Sequence, residues 1–346
     1  MMKAFTSESF ENITGYEAVR TAAKDHEKYS SDLQGDRDVR DYRQIPLEVD
    51  PPQHTEYRHA VQSVFLRPKL ESLKPQFETI ASDLLKQLMS KKQSFDVYQD
   101  FSLPFVITCL SVIYGRPQDK DEWISWGPDV WTAAGPKRDG TTLHNYLHRV
   151  FEESPVSDDI WSLLKSLRPN DGALTQEEFK GYAGVLLAGG RDTVIKLVSG
   201  LFWHLLNVPE DADRIEQTPE LERALINELL RFLSPLPAIE RVEKKTFDSE
   251  NPLYFRLHFA SANFDPAEWE QPEVVNIDRG RKPHLAFGYG AHTCLGMNLA
   301  EYEAKAFLKE FIPIRKSFKL EGYELTFSEV DGIRFLDNLT NLRVGF

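Results

Sequence analysis

The chain has 346 residues, 41% of them hydrophobic and 12% aromatic, enough to bury a large core in one big domain. Its formal net charge of -13 argues against nucleic acid or an anionic membrane surface as partner. The two cysteines, Cys109 and Cys294, are too few for a disulfide framework and fit a reducing cytoplasm. The first residues lack the apolar core and cleavage site of a signal peptide. No stretch approaches ~18 uninterrupted apolar residues, so no membrane anchor is expected.

In chain order, apolar periodicity predicts helices over Arg67–Met89, Glu177–Asn207, Pro219–Phe232 and Leu295–Phe311. Thr218 followed by Pro219, Glu220 and Glu222 reads as a capped helix start. Strand signals are short and scattered, as in Leu253–Phe259 and Asn341–Phe346, and Asp265-Pro266 and Arg279-Gly280 mark turns. There is no internal repeat and no linker, so residues 1–346 read as a single, mainly α domain with a minor β component. Cys109 lies in the apolar run Phe105–Leu110 and fits an inert core thiol.

Cys294 has different company. In Phe287-Gly288-Tyr289-Gly290-Ala291-His292-Thr293-Cys294-Leu295-Gly296, three glycines let backbone N–H groups approach the sulfur and temper a thiolate's charge. A helical pattern follows directly, and a helix N-terminus favours the thiolate form. Phe287 can shield the sulfur from water. A zinc site would enlist His284, His292 and Cys294, or the pair His144 and His148. It lacks the paired short Cys/His spacings and any HExxH motif.

The ten-residue segment resembles the haem loop of cytochrome P450, Phe-Gly-x-Gly-x-His-x-Cys-x-Gly, with every defined position met by Phe287, Gly288, Gly290, His292, Cys294 and Gly296. Three further stretches resemble family motifs, in the family's order. Asp50-Pro51-Pro52-Gln53-His54-Thr55-Glu56-Tyr57-Arg58 places His54 and Arg58 at i, i+4, able to grip one carboxylate. Gly189-Gly190-Arg191-Asp192-Thr193 is similar to the oxygen-activating stretch of a long central helix; read without the family, it is equally a loop between two shorter helices with Asp192 or Thr193 as cap. Glu228-Leu229-Leu230-Arg231 puts an acid and a base on one helix face, with Arg279 as third member.

The resemblance implies the cytochrome P450 fold, with haem b between the Gly189–Thr193 helix and the loop of Cys294, the axial thiolate ligand. It implies that His54, Arg58, Arg241 and His292 hold the propionates, that Thr193 and Asp192 handle oxygen and protons, and that Glu228, Arg231 and Arg279 are structural. Leu186, Gly189, Pro237, Ala238 and Ile239 would line the pocket for a small-molecule substrate. The expected activity is hydroxylation or oxidative O-demethylation, with electrons from a ferredoxin and ferredoxin reductase docking near Arg67, Lys69 and Lys282. Short marine-bacterial members that demethylate methyl sugars are similar overall. A peroxide-driven peroxygenase and a non-catalytic haem sensor are the alternatives. The chain departs from the family in a short N-terminus, in KTFDSENPLY over Lys245–Tyr254 where a Gly-x-x-Ile-Pro-x-Gly hairpin is usual, and in an abbreviated region between Trp126 and Trp161.

Overall fold

The computed structural model describes residues 10–32, 42–126, 141–153, 158–168, 172–247, 249–280 and 282–346. Most of the shortened region between Trp126 and Trp161 thus lies outside the described residues. The chain opens with β1 (Phe10–Ile13), α1 (Tyr16–Lys24) and β2 (Tyr29–Ser30), then α2 (Gln53–Val61) and α3 (Arg67–Lys91). After β3 (Phe95–Asp96) come α4 (Leu103–Ile113), α5 (Lys120–Ser125), α6 (Thr141–Glu152) and α7 (Ile160–Ser166). The middle of the chain forms α8 (Gln176–Gly189), α9 (Asp192–Asn207), α10 (Pro209–Gln217) and α11 (Leu221–Leu233). It ends with β4 (Ile239–Glu243), β5 (Tyr254–Leu257), α12 (Phe259–Asn263), α13 (Met297–Phe311), β6 (Lys319–Val330) and β7 (Ile333–Gly345).

The core follows from α9. Val194, Ile195, Leu197, Val198, Leu201, Phe202 and Leu205 are all buried, and a helix apolar on nearly every side must run through the middle of a domain. Phe202 meets Phe101, Phe307 and Phe311 from surrounding elements at 5.0, 4.7 and 4.5 Å between ring centres, spacings at which aromatic pairs attract. Helix α3 lies along α13, with Glu71 bonded to Tyr302 and Glu78 to Lys309.

Two small sheets flank the helices. One has the order β1-β5-β4-β2 and the other β3-β7-β6. Helix α1 packs on the first through a second core of Tyr16, Val19 and Ala22 against Phe255, Leu257, Phe259 and Leu285.

Four expectations change. The long helix over Glu177–Asn207 is two helices, α8 and α9, parted at Gly190 and Arg191. Thr218 does not cap α11; it closes α10, and the cap position of α11 is Glu220. The hairpin after Arg241 is present, with Ile239 paired to Leu257 and Val242 to Tyr254. Backbone pairing does not need the usual turn residues when the connection is longer. Finally, the scattered β signal near the C-terminus is one long hairpin, β6–β7. Its turn at Asp331-Gly332, with φ 51 and 78, is the Asp-Gly pair that such turns select.

Candidate active site

The loop 287–296 is shaped by two glycines. Gly288 and Gly290 have φ of 68 and 77, a region that side chains disfavour. A Cβ on Gly290 would also stand 2.8 Å from the Ala23 carbonyl of α1. Helix α1 therefore braces the loop directly. Arg20 donates to the Tyr289 hydroxyl at 2.9 Å, and the Tyr16 hydroxyl donates to the Pro283 carbonyl. Within the loop, Cys294 N–H donates to the Phe287 carbonyl at 2.8 Å and Gly288 N–H to that of Leu285 at 2.9 Å.

The Cys294 thiol is exposed, yet it stands deep enough that burial raises its pKa against the pull of the Gly296 N–H donor and Arg58. Together these describe a thiol facing an internal cradle. Of the three glycines expected to serve the sulfur, Gly296 is the one whose N–H reaches it; Gly288 and Gly290 make the turns. The helix begins at Met297, with Gly296 at its cap position.

Around the thiol the structure gathers His54, Arg58, Arg241 and His292. His54 is buried on α2 and neither ring nitrogen has a partner among the described residues. Its ring lies 4.2 Å from that of His292. Arg58, near enough to Cys294 to act on its charge, makes no hydrogen bond or ion pair with a described residue. Arg241, buried on β4, donates to the neighbouring Glu240 carbonyl. Burial and then Arg58 push the His54 pKa down to about 4. Burial, with Arg241, His54 and Arg58, pushes that of His292 down to about 2. Burial lowers Arg241 to about 10. Buried or half-buried arginines and imidazoles, with both ring nitrogens of His54 unused among the described residues, suit an anionic guest. A flat ligand carrying two carboxylates and a metal that takes a thiolate fits this donor set. Haem has that chemistry.

The second group of expected residues lies at the α8–α9 junction. The Thr193 hydroxyl donates to the Gly189 carbonyl at 2.9 Å, and Asp192 Oδ1 accepts from Arg191 at 2.7 Å. Neither side chain caps α9. The Leu186 carbonyl, whose residue is buried, accepts from the Tyr114 hydroxyl at 2.8 Å. A Cβ on Gly190 would lie 2.8 Å from Leu110, whereas one on Gly189 would meet nothing within 4 Å. So Gly190 serves packing, and Gly189 opens onto free space. Pro237, Ala238 and Ile239 are half-buried in the segment entering β4. Neither Asp192 nor Thr193 bonds to the group around Cys294.

Glu228 and Arg231 are buried and doubly bonded, at 2.9 and 2.8 Å. Arg279 joins Glu228 at 3.0 Å, and Arg231 also donates to the carbonyls of Asn263, Pro272 and Val274. This triad ties α11 to the segment before the loop. Among the expected docking cations, Arg67 meets Glu301 at 3.3 Å and Lys282 meets Glu268 at 2.9 Å. Lys69 is exposed and has no ion pair among the described residues. No group of three or more His, Cys, Asp or Glu among them could hold a metal ion.

Sequence reasoning missed Ser31 and gave Asp50, the first residue of its motif, no role of its own. Ser31 Oγ bonds His292 Nε2 at 2.9 Å, and Asp50 accepts from the Ser30 hydroxyl and the Ser31 N–H. Nothing local in the sequence signals a contact spanning 261 positions. The brace from α1 was missed for the same reason.

The comparisons with known proteins agree with this geometry. The cytochrome P450 family model matches residues 148–323, just over half of the chain. The polyketide biosynthesis cytochrome P450 PksS of Bacillus subtilis is 29% identical over 283 residues, covering 77% of this chain and 70% of its own. The biotin biosynthesis cytochrome P450 of the same organism is 28% identical over 317 residues, covering 86% and 79%. A solved structure described as that of a carbohydrate active P450 superposes with a TM-score of 0.88 at 28% identity, covering 99% of this chain and 94% of that one. A glycine-shaped cysteine loop with His54, Arg58, Arg241 and His292 gathered around it, a buried Glu–Arg–Arg triad and these likenesses lead to one conclusion: the chain belongs to the cytochrome P450 family, and so to the haem-dependent monooxygenases.

Proposed function

We propose that the chain is a single-domain cytoplasmic enzyme that hydroxylates or oxidatively O-demethylates a small organic molecule, with a methylated sugar as the leading substrate. The observation that carries the reading is the exposed Cys294 thiol beside His54, whose ring nitrogens have no partner among the described residues, and Arg58, which makes no ion pair with one. Cys294 would bind the iron of haem b, and His54, Arg58, Arg241 and His292 would hold its carboxylates. The bound haem supplies insertion of one oxygen atom of O2 into a C–H bond, the other leaving as water with two electrons and two protons. On an O-methyl group, the hydroxylated carbon departs as formaldehyde.

The chain's own residues would do the rest. Thr193, lightly tethered to the Gly189 carbonyl, would offer its hydroxyl to the oxygen site. Asp192, held beside Arg191, would pass protons inward from solvent. Leu186, Gly189, Pro237, Ala238 and Ile239 would exclude water and orient the substrate; these are small or apolar surfaces that suit a compact molecule. The likeness to a carbohydrate active P450 supports the sugar. Electrons would come from a ferredoxin and its reductase. Lys69, free of the acids that engage Arg67 and Lys282, is the expected contact.

The test is a panel of O-methyl sugars with a ferredoxin–reductase pair, following the substrate-induced spin shift and formaldehyde release. Thr193→Ala should keep substrate affinity and divert nearly all of the electrons to peroxide, a loss of coupling on the order of 100-fold, the low end of the range for one proton-handling group. Full coupling in Thr193→Ala, or equal turnover with peroxide alone, would favour the peroxygenase reading. Lys69→Glu should slow turnover with ferredoxin but not with a chemical reductant.

A further inference from the structure

One charged side chain of α9 has no place in the reading above. Lys196 stands four residues beyond Asp192, so the two share a helix face. It is half-buried in a helix otherwise committed to the core. Its one hydrogen bond among the described residues is a long one, 3.4 Å to the carbonyl of Pro235, at the start of the pocket segment 235–239. An ammonium taken out of water normally demands better acceptors, and an apolar residue would pack there without that cost.

Among the described residues, the charged groups around this pair are few. Arg191 and Lys196 face Asp192 from its own helix. Asp192 and, from β7, Asp337 face Lys196. The intervening segment Ser234–Ala238 contributes no titratable side chain. Burial raises the Asp192 pKa, and Arg191 and Lys196 oppose it. Burial lowers that of Lys196, opposed by Asp337 and Asp192. Asp192 also sits in the first turn of α9, where the helix field favours negative charge.

We infer that Lys196 is a positioning residue for Asp192: anchored on the Pro235 carbonyl, its ammonium keeps the carboxylate ionised and sets the pH range over which Asp192 passes protons. The inference rests on the proton-transfer role proposed for Asp192. Arg191 engages one carboxylate oxygen from the neighbouring position, while Lys196, one turn further along, acts on the carboxylate at longer range without a direct ion pair.

The experiment uses the haem-loaded protein and three substitutions. Lys196→Met removes both charge and donor, Lys196→Gln keeps a donor for Pro235 without charge, and Lys196→Arg keeps both. Infrared difference spectra of the resting protein across pH follow the carboxylic acid C=O band of Asp192, identified by its loss in Asp192→Asn. In Lys196→Met and Lys196→Gln that band should appear about one pH unit higher than in wild type, and Lys196→Arg should restore the original midpoint. The acid limb of coupled turnover should move upward by the same amount, with KM unchanged. An Asp192 midpoint unmoved in Lys196→Met and Lys196→Gln overturns the inference. So does a shift that follows loss of the Pro235 donor rather than loss of charge, with Met moved and Gln not. By contrast, full coupling in Asp192→Asn overturns the proton role of Asp192 itself, whatever the infrared midpoint does in the lysine variants.

Discussion

The loop of Cys294 and the α8–α9 junction are both rich in glycine, but glycine does opposite things in them. In the loop it permits confinement: Gly290 adopts a positive φ under the Ala23 carbonyl, with no room for a methyl group. At the junction Gly189 faces open space while Gly190 packs on Leu110, and the bonds there include those from Thr193 to Gly189, from Arg191 to Asp192 and from Tyr114 to Leu186. One region is a rigid seat built from backbone. The other is a break between two helices, packed at Gly190 and open at Gly189.

The sharpest way to separate the two regions is by what each loses. Cys294→Ala should abolish the thiolate-shifted Soret band of the reduced carbon monoxide complex and all turnover. Thr193→Ala should leave that band intact, and a band lost in both variants would show that the junction also shapes the seat. Next in size is Gly290→Ala, which should destabilise the protein by about 2 kcal/mol or more through strain and the clash with α1. Chemical denaturation and haem occupancy both report it.

Within the junction itself, neighbouring glycines should behave differently. Gly190→Ala should cost about 1–3 kcal/mol by overpacking against Leu110. Gly189→Ala should be neutral or stabilising by about 0.5 kcal/mol while weakening substrate binding. Equal melting temperatures for the two variants would erase that distinction.

The smallest effect concerns pH. His54 has a pKa of about 4 in the folded protein against 6.5 for the ordinary group. The unfolded chain therefore takes up this proton first, and stability falls as pH drops from about 6.5 toward 4. At neutral pH the group is unprotonated in both states and contributes no such loss. In the haem-free protein the fall should be on the order of 1 kcal/mol, reduced in His54→Gln and suppressed once bound carboxylates accept from the ring. Urea titrations at pH 5 and pH 7 measure it.

Much of the site was readable because it is contiguous. Phe287 through Gly296 is one turn-rich segment, and Glu228 and Arg231 meet simply by lying three residues apart on a helix. Their burial was not readable: the same spacing on an exposed face would make an ordinary surface pair. The β6–β7 hairpin was available to a closer reading of Asp331-Gly332 and the alternation around it. The split of α8 from α9 was not. The two glycines permit a break, but it is Leu110 against Gly190, and Tyr114 taking the Leu186 carbonyl, that hold the two helices as found.

The sequence by itself determined the thiol, the turns that present it, the helical character of the chain and the identity of the His and Arg residues gathered around it, since each depends on residue type and motif. Only the tertiary structure decided that His54 would be buried with both ring nitrogens unpartnered among the described residues, that Ser31 would bond His292, that α1 would clamp the loop and that Lys196, one turn on from Asp192, would bond the Pro235 carbonyl. Such contacts join residues far apart in the chain. They are set by how the helices pack and by which polar groups that packing cuts off from water, and no local pattern records either.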